Sequence, residues 1–195
     1  MIEFFGYHLR NLANFSGRES QKRFWLWGAF VLGLTFVMGA IVFMPRFTDA
    51  MIRMQRFAME HPESATVESG PGHYSIQIDG HHPELMPDMD RFFYTLMGIT
   101  AFVTVLIGAA AVRRLHDTGR RGWWLLLPVP FVTVGYTVAP DLFEQVVAGD
   151  AASFRLFVLL FFNNLIYMVM LAVVVIFLAL PGRPDANRFG PPPAD

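Results

Sequence analysis

The chain has 195 residues, a formal net charge of −1, 54% hydrophobic residues and only 16% charged residues, against about 25% charged in ordinary globular domains. That balance argues against a soluble domain and gives no whole-chain signal for nucleic acid. The absence of cysteine excludes disulfides, thiolate chemistry and Cys-ligated metals.

Residues 1–23 are mixed in character and carry Arg10, Arg18, Lys22 and Arg23. Ile2, Phe4, Phe5, Leu9 and Leu12 recur at near-helical spacing. Two readings fit them, a short amphipathic helix in the headgroup layer and a frayed tail. The apolar run that follows is too long for a signal peptide and ends in no small-residue cleavage site, so no cleavable signal is expected. Ser16-Gly17-Arg18-Glu19 has the form of a capping box, in which Ser16 accepts the Glu19 amide and the Glu19 carboxylate reaches back. The first membrane helix is expected to start there and to enter lipid at Phe24-Trp25. Asn14-Phe15-Ser16 matches a glycosylation sequon, which has no meaning on a cytoplasmic face.

Four apolar runs follow, at about 24–44, 92–112, 123–139 and 156–180, and none contains Asp, Glu, Lys, Arg or His. A span needs about 20 apolar residues at a rise of about 1.5 Å each. The first, second and fourth runs meet that length. The third is short and holds Pro128 and Pro130, so it reads as a kinked span extended by residues 141–143, or as a re-entrant hairpin. The expected fold is all-α: one polytopic membrane domain over 1–195 with four transmembrane helices.

Orientation follows from Lys and Arg. Residues 1–23, the 113–122 loop and the tail after Leu180 hold ten Lys+Arg against five acids, whereas 45–91 and 140–155 hold five arginines against eleven acids. Both termini are therefore expected to be cytoplasmic. Trp25, Trp27, Trp123 and Trp124 fall at that interface, as an aromatic belt should.

The 45–91 segment is the expected extracytoplasmic loop or insertion. Residues 48–60 carry Met51, Ile52, Met54, Phe57 and Met59 and fit an extension of the first helix. Residues 61–72 read as flexible, and 73–78 followed by Asp79-Gly80 as a short strand and turn. His61, His73, His81 and His82 lack a fixed ligand spacing, so they read as solvated and no metal or cofactor is expected.

The 113–122 loop holds Arg113, Arg114, His116, Asp117, Arg120 and Arg121. Asp117-Thr118-Gly119 matches the aspartic-protease triplet by chance, because that chemistry needs two such carboxylates. Gly119 is expected to adopt positive φ in a turn or helix cap, and Asp117 to cap or to pair with Arg113, Arg114, Arg120 or Arg121. The six residues read as a topology determinant, or as a site for lipid headgroups and other anions. His116 and Asp117 exceed what charge bias requires, and contact with the N- or C-terminal segment is expected. Asn163 and Asn164 lie inside the fourth run and read as interhelical hydrogen-bonding residues; Ala29, Gly33 and residues 108–111 offer close-packing faces. The spans hold no serine and no Asp, Glu, Lys, Arg or His, which argues against intramembrane serine proteolysis and proton-coupled transport.

Three motifs act together: Asn14-Phe15-Ser16-Gly17-Arg18 with Arg23-Phe24-Trp25; Arg113-Arg114-Leu115-His116-Asp117-Thr118-Gly119-Arg120 with Gly122-Trp123-Trp124; and Pro181-Gly182 with Asn187-Arg188-Phe189-Gly190-Pro191. In these the chain resembles the bacterial inner-membrane family catalogued as domain of unknown function 805. The family pattern carries Arg-Ser where Arg120-Arg121 stands here, and the 45–91 loop resembles an insertion. The resemblance implies a multi-pass inner-membrane location and no particular reaction. The leading expectation is a non-enzymatic membrane protein, an envelope scaffold or one associated with anionic lipid in the bilayer. A homo-oligomer or a membrane-protein partner fits as well. The alternatives are a small transporter or channel subunit using Asn163 and Asn164, and a membrane-interface enzyme using His116 and Asp117.

Overall fold

A computed structural model describes residues 2–80 and 82–193, with backbone alone at Pro83. His81, one of the four loop histidines, lies outside the described residues. Among the described residues the fold has five α-helices and one hairpin: α1 (Ile2–Arg10), α2 (Gln21–Glu60), β1 (Ala65–Gly70), β2 (His73–Ile78), α3 (Met89–Asp117), α4 (Val129–Val147) and α5 (Ser153–Ala179). Among the described residues four stretches are long and apolar enough to cross a membrane: α2, α3, Gly122–Val147 and α5. The all-α membrane architecture expected above is what the chain adopts.

α1 is a helix. Its apolar face, Phe4, Phe5 and His8, packs on Trp27 of α2. The expected capping box does not form. The N-cap of α2 is Ser20, in extended backbone, whose hydroxyl accepts the Arg23 amide at 3.4 Å. Ser16 lies outside the helix, its amide donating to Asn14 Oδ1. Glu19 is withdrawn from capping because an arginine 94 positions away binds its carboxylate, and a charge-assisted pair is stronger than a cap bond to a backbone amide.

α2 runs 40 residues, about 60 Å at about 1.5 Å each, twice a bilayer core of about 30 Å. Its second half therefore stands clear of the membrane, as residues 48–60 suggested. Pro45 sits where the helix passes the expected boundary. The hairpin leans on this extension. It pairs Ala65 with Ile78 through Gly70 with His73, so the turn is Pro71-Gly72, with Gly72 at φ +75°. Residues 61–72, read as flexible, thus contain a strand, and Asp79-Gly80 is not the hairpin turn. Pro at the second and Gly at the third turn position set this geometry.

Asp88 caps α3, accepting the Arg91 amide at 2.9 Å. The third run begins as a 3-10 turn, Gly122–Leu126, and continues as α4 to Val147, past Pro140. It is one continuous element, long and apolar enough to cross, rather than a hairpin. Pro128 and Pro130 stand at its start, where missing amides cost little. α4 lies along α5, and α2 along α3. The core gathers at the arginine-rich end: Phe24, Trp27, Val31, Leu106, Ala110, Ala111, Leu115, Val174 and Leu178. Residues 109–111 pack closely as expected, whereas Ala29 and Gly33 are exposed. Trp27 is a core residue, its indole Nε1 donating to the Leu106 carbonyl at 3.0 Å, while Trp25 and Trp123 remain exposed.

Candidate functional site

The C-terminus of α3 ends in a Schellman cap. The Gly119 amide donates to the His116 carbonyl and the Arg120 amide to the Leu115 carbonyl, with Gly119 at φ +81°, as its position predicts. This cap turns the chain sharply and leaves Arg113, Arg114, His116 and Asp117 facing the two terminal segments.

Asp117 is the centre. Arg18 Nε donates to its Oδ1 at 2.9 Å, and Arg114 Nη1 donates to Oδ2. All three side chains are buried. Of the four arginines expected to pair with Asp117, only Arg114 does; the second partner, Arg18, comes from the N-terminal segment. Arg18 also donates to the carbonyls of Arg183, Asp185 and Gly190, so one guanidinium holds the C-terminal tail against α3. Arg114 donates to the carbonyls of Leu178 and Leu180, satisfying groups that the end of α5 leaves unpaired. The tail amide of Arg183 donates to the Asp117 carbonyl at 3.0 Å. Gly182 passes so close that a Cβ there would overlap the Asp117 carboxylate.

A second pair lies beside the first. Arg113 grips Glu19 Oε2 through Nε and Nη2, each at 2.8 Å, and Nη1 donates to the carbonyls of Asn11 and Asn14. The Glu19 amide returns a bond to the Arg113 carbonyl. Burial pushes the Glu19 carboxyl up; Arg113 pulls it down, with smaller pulls from Arg23 and Tyr7. His8 is buried, stacked on Trp27 at 4.5 Å, and neither ring nitrogen has a hydrogen-bond partner among the described residues. Burial first, then Arg113 and Arg23, lower its pKa to about 4.

His116 stacks on Phe189 of the tail at 3.7 Å and its Nδ1 lies 3.1 Å from the Gly17 carbonyl. Asn187 Nδ2 donates to the His116 carbonyl. The expected contact of His116 and Asp117 with the terminal segments is therefore present, and with both of them. Arg120 lies over the Phe177 ring, and Arg121 is exposed. Arg113 and Arg114, expected as headgroup ligands, are buried and fully engaged; a lipid phosphate has no route to them without breaking both pairs.

The other expected polar site divides. Asn163 Nδ2 donates to the Phe131 carbonyl of α4 at 2.9 Å, bridging helices as expected, whereas Asn164 is exposed. In the hairpin region, His61 pairs with Glu63 and His82 with Glu84. Sequence reading missed Glu19, Arg18 and His8 as partners. The available signal was balance: Glu19 stands next to Arg18, and Asp117 three residues from both Arg114 and Arg120.

The family profile for "Protein of unknown function (DUF805)" matches residues 12–191, which include all three segments of the cluster. The inner membrane protein YhaH of Escherichia coli K12 is 25% identical over 186 residues, covering 95% of this chain and 91% of YhaH. YhaH of Escherichia coli O157:H7 gives the same figures. No solved structure matches significantly. With a profile that spans the cluster and all four crossing helices, the chain is an inner-membrane protein and belongs to the DUF805 family, whose function is unknown.

Proposed function

We propose that the protein is a non-enzymatic structural component of the inner membrane, with its arginine-rich end on the cytoplasmic face and resting on anionic headgroups. The division of charge at that end carries this reading. Glu19 and Asp117 are buried against Arg18, Arg113 and Arg114. Arg10, Lys22, Arg121, Arg183 and Arg188 are exposed, and among the described residues of this end only Glu3 and Asp185 are exposed acids. The outer surface is therefore cationic although the cluster inside is nearly balanced. Each basic residue beside an anionic leaflet contributes about 1 kcal/mol, and such an excess favours the cytoplasmic side. His116 has its Nδ1 and one ring face committed to the terminal segments, which supports a structural role over an acid–base one.

Native mass spectrometry of protein extracted with its lipids tests the reading. Neutralising Arg10, Lys22, Arg121 and Arg183 to Gln should remove most retained phosphatidylglycerol or cardiolipin and leave helical content unchanged. Equal retention would overturn the lipid association. For orientation, His82→Cys should react with an impermeant maleimide outside intact cells, and Arg121→Cys should not; the reverse pattern would invert the topology.

A further inference from the structure

Asn164 is the twelfth of the 27 residues of α5, close to the middle of the span. Unlike Asn163, it is exposed and makes no hydrogen bond among the described residues. A carboxamide left unpaired in hydrocarbon costs several kcal/mol. Exposed apolar side chains are ordinary on a lipid-facing helix and call for no partner; an unpaired amide at mid-depth does.

The residues around it have a pattern. Phe157, Phe161, Met168 and Val175 are all exposed, and with Asn164 they fall at spacings of four, three, four and seven. That is the seven-residue period of two helices that wind around each other left-handedly, with one polar residue at a seam position to set register. α5 packs on α4 and α3; its buried Leu178 continues the same seven-residue row beyond Val175, so the free part of the seam ends at Val175. Beside Asn164 a recess of about 240 Å³, walled by Phe93, Phe131, Tyr136 and Tyr167, has room for a side chain of a facing helix. A carboxamide both donates and accepts. Across a two-fold axis the same residue from two copies satisfies itself, with no polar group needed beyond those this chain carries.

We infer that the chain dimerises through α5, the Asn164 amide bonding to the partner's Asn164 at the centre of the membrane. The Phe157, Phe161, Met168 and Val175 side chains form the seam on either side of it.

The chain has no cysteine, so single cysteines report proximity directly. In native membranes under mild oxidation, Phe161→Cys, Asn164→Cys and Met168→Cys should give disulfide dimers. Phe162→Cys and Ile166→Cys, equally lipid-exposed but off the seam, should not. In liposomes at high dilution, single-molecule photobleaching should show Asn164→Leu weakening association by about 3- to 30-fold, with Asn164→Gln retaining it. Cross-linking without this periodicity would overturn the proposal, as would association unchanged in Asn164→Leu. A wild-type monomer carrying a lipid-soluble small molecule that Asn164→Leu releases would also overturn it, and would assign the recess to that ligand.

Discussion

At the arginine-rich end Asp117 lies buried between Arg18 and Arg114, and Glu19 between α2 and Arg113. At the hairpin end His61 meets Glu63 and His82 meets Glu84, each pair two residues apart and largely exposed. Both ends contain charged pairs, yet only one set organises the chain. Two of the three buried pairs, Arg18–Asp117 and Arg113–Glu19, join residues 99 and 94 positions apart, so each closes a long loop and ties a terminal segment to α3. The exposed pairs restate what the local backbone already does, and water screens them. Charge carries architecture where it is desolvated, paired and long-range.

The sharpest break in this comparison is Asp117→Ala. It leaves Arg18 and Arg114 buried without a counter-charge and should cost about 3–5 kcal/mol, read as a lowered midpoint in denaturant-monitored unfolding of the detergent-solubilised protein. Glu63→Ala should stay within about 0.5 kcal/mol. Similar losses for the two would erase the distinction between the ends.

Acidification is next. His8 folds neutral with a pKa of about 4 against an ordinary 6.5, so the undocked state binds the proton more readily. Docking of α1 is then fully stable above about pH 6.5 and weakens as pH falls toward 4, by up to about 3 kcal/mol. Fluorescence of Trp27, on which His8 stacks, should report the change. His8→Phe should abolish the pH dependence; a persistent one would move its origin elsewhere.

Glycine substitution separates the ends more gently. Gly182→Ala drives a methyl into the Asp117 carboxylate and should cost about 1–3 kcal/mol. Gly70→Ala, with open space around it, should leave the melting temperature unchanged. A small effect is expected even from replacing the whole of residues 65–78 by a Gly-Ser linker. A hairpin with so little buried surface should change stability by less than about 1 kcal/mol, because an isolated pair of strands is marginal in water.

The spans were legible in the sequence because a bilayer imposes a length and a polarity that few other environments demand. Gly119 was legible because the Schellman cap needs positive φ there. The role of Ser16 and Glu19 was not. A capping box and a long-range ion pair make the same use of a glutamate locally, and only the fold brings Arg113 to Glu19. Arg113 and Arg114 illustrate the same limit: an arginine-rich loop reads identically whether its guanidiniums face headgroups or a buried carboxylate. Trp27 followed the belt pattern in sequence, yet α1 covers it, and no span-scale rule reports a short helix folding back.

Hydrogen exchange on the C-terminal tail tests the central claim most directly. The amides of Arg183, Asn187 and Gly190 donate to the Asp117, Gly190 and Asn187 carbonyls in turn, and Arg18 binds three tail carbonyls. These three amides should be protected in the intact protein and lose that protection in Arg18→Met while α3 and α5 remain slow to exchange. Tail amides exchanging at unstructured-chain rates in the intact protein would contradict the account.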